Sequence, residues 1–373
     1  MNSPFQYGKV VEGDAFTNRK KELKWLLSNF DNNINTTLLS PRRWGKSSLV
    51  RRAAKTAANG KIFCFIDLFN VRNETEFYSL YIKQVLKASY GKTQELLSAA
   101  KTILSKIKPK FTIPIDSKTD FQVQLDLDIV KQSYDEILNL PEKLSQKKKK
   151  KIIVCIDEFQ NIEYFDDPLL FQKRLRSAWQ YHKNAAYCIY GSKKHMMMNL
   201  FDNPSMPFYK FGDVIYLDKI SEEDFVPFII KNFNITNKKI DTEFAKQIVK
   251  LMDCHPYYVQ QLSHIIWINT VIKVTQDIID KSIENLLEQN SSLYENEYED
   301  ISNSQINFLK AIMGDNNGGL SSMETIKKYN LGTSANVAKI KSALLRKELI
   351  DTRGSRVFIL DPVFALWLKR RII

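Results

Sequence analysis

The run Leu38-Leu39-Ser40-Pro41-Arg42-Arg43-Trp44-Gly45-Lys46-Ser47-Ser48-Leu49-Val50 constrains this chain more than any other stretch. Residues 35–39 are short and end apolar, and residues 46–58 have helix composition, so a loop joins a strand to a helix. Backbone N–H groups of such a loop and of the helix start can surround a polyphosphate, while Lys46 adds a point charge near the β and γ phosphates. Ser47 can offer its hydroxyl to Mg²⁺. The pattern usually opens with Gly; Ser40 stands in that place and gives up some freedom to adopt positive φ. Gly45-Lys46-Ser47 alone also fits an ordinary helix start, so a second nucleotide motif has to decide.

That motif is Lys151-Ile152-Ile153-Val154-Cys155-Ile156-Asp157-Glu158-Phe159-Gln160. Consecutive apolar residues, mostly β-branched and bounded by charge, predict a central strand buried on both faces. Two carboxylates at its end are out of place in a core. Asp157 is expected to hold the metal and Glu158 to orient and deprotonate an attacking water, because phosphoryl transfer needs positioning and charge neutralisation. The alternative is that both acids cap the next helix.

A chain of 373 residues is long enough for two or three domains with real cores. No run of 18 or more apolar residues appears, so no membrane span is expected. Residues 1–7 lack the basic-then-apolar pattern of a secretory signal, and the expected location is cytoplasmic. Cys64, Cys155, Cys188 and Cys254 show neither disulfide nor zinc spacing, and the first three sit in apolar strand-like runs where Cys acts as a small buried hydrophobe. Nucleotide-bound Mg²⁺ is therefore the only metal expected. The net charge of +13 permits attraction to nucleic acid. From residue 302 to 373, twelve Lys and Arg stand against five acids. The Lys147–Lys151 run reads as a solvated loop.

A helix is expected from Phe16-Thr17-Asn18-Arg19 onward, with Leu23, Leu26 and Leu27 on its apolar side. In several nucleotide-binding ATPases such a segment lies against the adenine, so Asn18 and Arg19 are candidates for a base pocket; a plain surface helix fits as well. Residues 61–67, 185–190 and 214–217 read as further parallel strands, and Ser192 at the tip of the second of these can sit beside a γ phosphate. Residues 91–108 read as a further helix, after which the period changes: alternation at Phe111, Ile113, Ile115, Phe121, Val123, Leu125 and Leu127 predicts a β-hairpin or a pair of edge strands, and residues 91–132 together read as an insertion on the core. From Ser221 the period is helical. Residues 290–300 are polar and acidic, a linker candidate. Three helices and a hairpin about Gly354 then form a winged helix-turn-helix. On DNA, Ser334, Asn336 and Lys339 would lie near base edges and Arg353 and Arg356 near phosphates; the alternative is a domain that packs on the core or on a partner.

Together the motifs resemble the archaeal-type ATPase family, a branch of the P-loop signal-transduction ATPases with numerous domains (STAND) within the AAA+ group. Its carriers are Phe16-Thr17-Asn18-Arg19 with Glu22-Leu23, the Pro41–Leu49 loop, Ile156-Asp157-Glu158-Phe159-Gln160, Gly191-Ser192, Pro207-Phe208-Tyr209, His255-Pro256-Tyr257 and the closing Leu360-Asp361-Pro362-Val363-Phe364-Ala365-Leu366-Trp367-Leu368. The resemblance implies an α/β fold: a P-loop NTPase core with an AAA+-like parallel sheet over residues 1–218, an all-helical lid over 219–298 and a winged helix over 299–373. It implies ATP and Mg²⁺ as ligands, with Pro41, Arg42, Arg43, Trp44, Gly45, Lys46, Ser47 and Ser48 around the phosphates and Ser47 and Asp157 on the metal. Glu158 would be the base, Ser192 the γ-phosphate sensor, and His255 and Pro256 lid contacts to the nucleotide. Where family members often carry Gly-Arg, this chain has Lys210 and Phe211, and Lys210 lacks the guanidinium fork. With Ser40, this points to slow turnover. The expected activity is ATP hydrolysis driving a conformational switch; the alternatives are an ATP-regulated DNA-binding regulator or mobile-element factor and an oligomerising defence or stress sensor, so DNA, a protein partner or a second copy are the macromolecular partners to weigh.

Overall fold

The computed structural model describes residues 2–57, 59–90, 95, 127–314 and 319–372, and the chain divides into two compact units, Arg19–Asp218 and Met1–Asn18 with Lys219–Ile373. In the first unit the elements are α1 (Lys20–Asn32), β1 (Thr36–Leu39), α2 (Lys46–Thr56), β2 (Lys61–Asp67), α3 (Glu74–Ser89), α4 (Leu127–Leu138), α5 (Leu140–Lys148), β3 (Lys151–Asp157), α6 (Pro168–Trp179), β4 (Ala185–Gly191), α7 (Lys194–Asp202) and β5 (Asp213–Tyr216). Local chemistry sets their starts. The Asn73 side chain accepts from the Glu76 amide to open α3, and Asp167 does the same for Leu170 ahead of Pro168, a residue suited to the first helical position.

The sheet runs β2-β3-β4-β1-β5 and every pairing within it is parallel. Parallel strands covered on both faces read as unbroken apolar runs. Accordingly Ile152 to Ile156 and every residue of β4 are buried. The order places β1 between β4 and β5, with β3 on the far side of β4, although the chain reaches β2 directly after α2. Because all five strands point the same way, the segments following β1, β3 and β4 emerge at one edge.

An aromatic cluster anchors the opposite edge. Trp179 stacks on Tyr187 with ring centroids 4.1 Å apart, and Tyr81, Phe208 and Phe211 surround the pair. The Tyr187 hydroxyl meets His182 Nδ1 at 2.9 Å, and His182 Nε2 meets Asn139 Oδ1 at 2.9 Å. Gly212 has no room for a side chain here, since a Cβ would lie 2.0 Å from the Asn35 carbonyl oxygen. The β-hairpin expected within residues 111–127 lies outside the described residues except at Leu127, which opens α4 instead of extending a strand.

The second unit contains α8 (Glu222–Asn234), α9 (Thr242–Leu251), α10 (Pro256–Asn269) and α11 (Gln276–Glu299). They are followed by α12 (Asn303–Met313), α13 (Met323–Lys328), α14 (Ser334–Arg346), the antiparallel pair β6 (Ile350–Arg353) and β7 (Arg356–Ile359), and α15 (Pro362–Ile372). Three helices, a hairpin turning at Gly354 with φ 59° and a closing helix make the winged helix. The N-terminal segment joins this unit, with Phe5 buried against Phe228 and Phe233.

The linker expected at residues 290–300 is not a linker: α11 runs through it to Glu299. Its polar residues are the solvent side of a helix whose other side buries Tyr294 against Phe364 and Trp367 of α15. The Tyr294 hydroxyl donates to Asp361 Oδ2 at 3.1 Å, and the Tyr258 hydroxyl donates to the same oxygen. Asp361 Oδ1 meanwhile accepts from the amides of Val363 and Phe364, so one carboxylate caps α15 and ties it to α10 and α11.

Candidate nucleotide site

The loop following β1 turns on two left-handed residues, Arg43 with φ 61° and Gly45 with φ 88°. Ser40, in the place usually held by Gly, is not one of the positive-φ positions, so its side chain imposes no backbone strain there. Its hydroxyl and carbonyl instead receive Lys46. The ammonium donates to Ser40 O at 2.9 Å, Ser40 Oγ at 3.1 Å and Pro41 O at 2.7 Å, and the residue is only 6 % exposed. Helix α2 begins at Lys46, which leaves the amides of its first turn without intrahelical acceptors at the loop. Pro41, Trp44 and Ser48 are buried, whereas Arg42 and Arg43 face solvent.

From the end of β3, Asp157 reaches this loop. Ser47 Oγ donates to Asp157 Oδ2 at 2.7 Å across 110 residues of sequence. Burial pushes the Asp157 carboxyl up to about 6, with the Ser47 bond opposing and the neighbouring Glu158 charge adding to the rise. A hydroxyl and a carboxylate oxygen in direct contact are hard donors of the kind Mg²⁺ takes, and a divalent cation would offset the cost of burying that carboxylate. These residues fit the metal and a polyphosphate.

Glu158 takes the left-handed conformation, φ 52°, and its side chain turns toward the tip of β4. There Oε2 accepts from Ser192 N at 3.2 Å, Ser192 Oγ at 2.9 Å and Gln160 Nε2 at 2.5 Å. Neither acid caps a following α-helix through its side chain; Glu158 precedes a 3-10 turn, Phe159–Tyr164, without a side-chain cap bond. Lys46, Ser47, Asp157, Glu158 and Ser192 therefore converge at the edge where β1, β3 and β4 end.

The remaining expected residues divide. Arg19 is 4 % exposed and joins the loop, donating to the Trp44 carbonyl at 3.0 Å and to Glu22 at 3.1 Å. Its guanidinium is thus occupied with the loop backbone and Glu22. Asn18 belongs to the other unit, where its side chain donates to Asp224 of α8. His255 is the N-cap of α10 in that same unit; its Nδ1 accepts from the Tyr257 amide at 3.2 Å, ahead of Pro256 at the first helical position. Lys210 is not part of the cluster. It lies just before β5, whose first residue Asp213 pairs with Thr36 at the start of β1, so a strand of roughly 13 Å separates it from the loop. The sign was in the chain order, since Lys210 precedes a parallel strand whereas the phosphate loop follows one, and the family resemblance masked it. Gln160, Gly191 and Glu22 complete the site's surroundings; the signal for Gln160 was its place two residues after the acidic pair, and for Glu22 its three-residue spacing from Arg19.

A parallel sheet in this order, a phosphate loop after its first strand, paired acids after its third and a winged helix to close define a P-loop ATPase with an AAA+-like core. This chain belongs to the family described as "ATPase domain predominantly from Archaea", whose model matches residues 16–262, and a probable winged helix domain matches residues 292–370. No curated protein matches it. Among solved structures it is similar to a Walker-type ATPase of Pyrococcus abyssi, at 19% identity over 98% of this chain and 99% of that one, with a TM-score of 0.69. It is also similar to the ORC2 protein of Aeropyrum pernix in its ADPNP–ADP complexes, at 12% identity over 99% of both chains and a TM-score of 0.57. The ADP form of that protein gives 11% identity, 99% and 97% coverage and 0.53. At these identities the likeness is one of fold. Among the described residues, no helix is long and apolar enough to cross a membrane.

Proposed function

We propose that this protein binds Mg-ATP and hydrolyses it slowly, using the cycle as a conformational switch. The observation that carries this reading is the 2.7 Å contact between Ser47 Oγ and Asp157 Oδ2. Two motifs distant in sequence meet beside a buried lysine, which supports reading them as a metal-ligand pair. Mg²⁺, when bound, would neutralise phosphate charge and fix the terminal phosphate. Ser47 and Asp157 would hold it. Lys46 exchanges its bonds to Ser40 and Pro41 for phosphate oxygens. Glu158 takes a proton from water as the water oxygen bonds to the γ phosphorus; the bond to the bridging oxygen breaks and ADP leaves with that electron pair. Ser192 Oγ, now on Glu158, is close enough to that carboxylate to pass between it and the terminal phosphate.

The chain passes between its two units at residues 18/19 and 218/219. His255 and Pro256 belong to one unit and the phosphate loop to the other. Glu158→Gln should keep ATP affinity and lower turnover by at least about a hundredfold, the usual range for a general base. Equal ATPase rates in the two proteins would remove Glu158 from the chemistry.

A second reading, nucleic-acid binding through the winged helix, is favoured by exposed Lys339 on α14 and exposed Arg356 at the wing. Asn336 is less suited to a base contact than its position implies, since its side chain donates to the Leu331 carbonyl at 2.8 Å and locks the turn before α14. Duplex DNA titrated from low to high salt should show a steep log–log slope that falls by about one when Arg356→Ala removes one phosphate contact. A flat titration, or none of the binding at low salt, rejects this reading.

A further inference from the structure

Gln160 has no role in the scheme above, yet its surroundings are built around it. It is 1 % exposed, at the first turn after Glu158. Its Nε2 donates to Glu158 Oε2 at 2.5 Å, and its Oε1 is buried without a hydrogen-bond partner. Reversing the amide would set a carbonyl oxygen against the carboxylate, so the assignment of nitrogen toward Glu158 is fixed by charge. A buried acceptor left unsatisfied is costly, and here it accompanies a bond from an amide to an anion, one of the stronger kinds. The slot that admits the side chain is made by Gly191. A Cβ at that position would lie 1.9 Å from Gln160 Oε1 and 2.9 Å from Met197 Sδ.

The donors on Glu158 are arranged unevenly. Ser192 N, Ser192 Oγ and Gln160 Nε2 all converge on Oε2, and none of the described residues bonds to Oε1. Oε1 is therefore the oxygen that can face a water molecule. Of the two side-chain donors, only Ser192 has a competing partner in the proposed reaction, the terminal phosphate. When it turns there, the Gln160 amide is the side-chain donor that still fixes the carboxylate.

The geometry points to Gln160 as the positioning residue for Glu158, holding the base in its working orientation while Ser192 engages the phosphate, with Gly191 as the glycine that admits it. This rests on the ATPase reading above. It acts through the carboxylate and not on ATP, so its removal should separate turnover from binding.

The test uses the full chain. Gln160→Met, which keeps the length and loses the donor, should lower kcat roughly tenfold to hundredfold, the range for a base displaced by a fraction of an ångström to an ångström. KM for ATP and affinity for a non-hydrolysable analogue should stay within about twofold of wild type. In a Glu158→Gln background the same change should cost nothing further, because there is no carboxylate left to position. Gly191→Ala, which evicts Gln160, should reproduce the loss in kcat and add nothing to Gln160→Met; it carries the test if the Met variant does not fold. An unchanged kcat in Gln160→Met, or an equal loss in the Glu158→Gln background, overturns the positioning role while leaving Glu158 as base. If wild type shows no turnover, or Glu158→Gln matches it, the ATPase reading falls and this proposal with it.

Discussion

Lys46→Ala should bind a non-hydrolysable ATP analogue at least about a hundredfold more weakly than the wild type, a loss of roughly 3 kcal/mol. The ammonium is central to the loop. It is buried and held by three oxygens of Ser40 and Pro41, all within 3.1 Å, so it is already desolvated and aimed into the loop interior. A charge placed this way needs little reorganisation to move onto phosphate oxygens. Alanine removes both the charge and the reach. Arg42 and Arg43 face solvent, where screening weakens each as a substitute. Calorimetric titration in the presence of magnesium measures the effect. Affinity equal to wild type would mean that the loop does not hold phosphate, and the reading of the site would go with it.

The largest stability effect is expected in the aromatic cluster, at Trp179→Ala. Trp179 is 1 % exposed and sits between Tyr81, Tyr187, Phe159, Phe208 and Phe211. Truncating it opens a cavity that the surrounding rings cannot collapse into, because Tyr187 is held by His182 and Tyr81 through its hydroxyl. The cost should be about 3–5 kcal/mol, as for large aromatic truncations in packed cores. Thermal denaturation followed by circular dichroism should then show the midpoint falling by roughly 6–20 °C. A shift under roughly 2 °C would show that the cluster is not closely packed. The two substitutions are complementary, since the first is expected to spare the fold and the second to weaken it without touching a nucleotide-facing group.

Much of the architecture was legible because strands buried on both faces leave unbroken apolar runs. Residues 61–67 and 185–190 match β2 and β4 to within a residue, and the Ile152–Ile156 run forms the body of β3. The three helices and hairpin after residue 302 were legible for a similar reason, since Ser302, Ser322 and Thr333 each accept a backbone amide at a helix start. The linker expected at 290–300 failed because composition reports polarity and not direction. A helix with most of its surface in water is rich in Asn, Ser and Glu, and the buried Tyr294 and its bond to Asp361 became visible only when α15 was in place.

At the site, residue type alone marked Lys46, Ser47, Asp157 and Glu158, because a phosphate loop and a pair of acids ending an apolar strand are rare unless chemistry requires them. The sequence by itself thus determined the class of ligand and the order of the strands along the chain. Tertiary structure alone decided which ends met. Parallel pairing brings the ends of β1, β3 and β4 to one edge, so Ser47 touches Asp157 and Ser192 touches Glu158, while Lys210, at the beginning of its strand's approach, is left at the other. It also decided the role of a glutamine and a glycine. Gln160 and Gly191 are separated along the chain by a helix and a strand, and only close packing at the sheet edge makes the absence of one side chain the condition for the placement of the other.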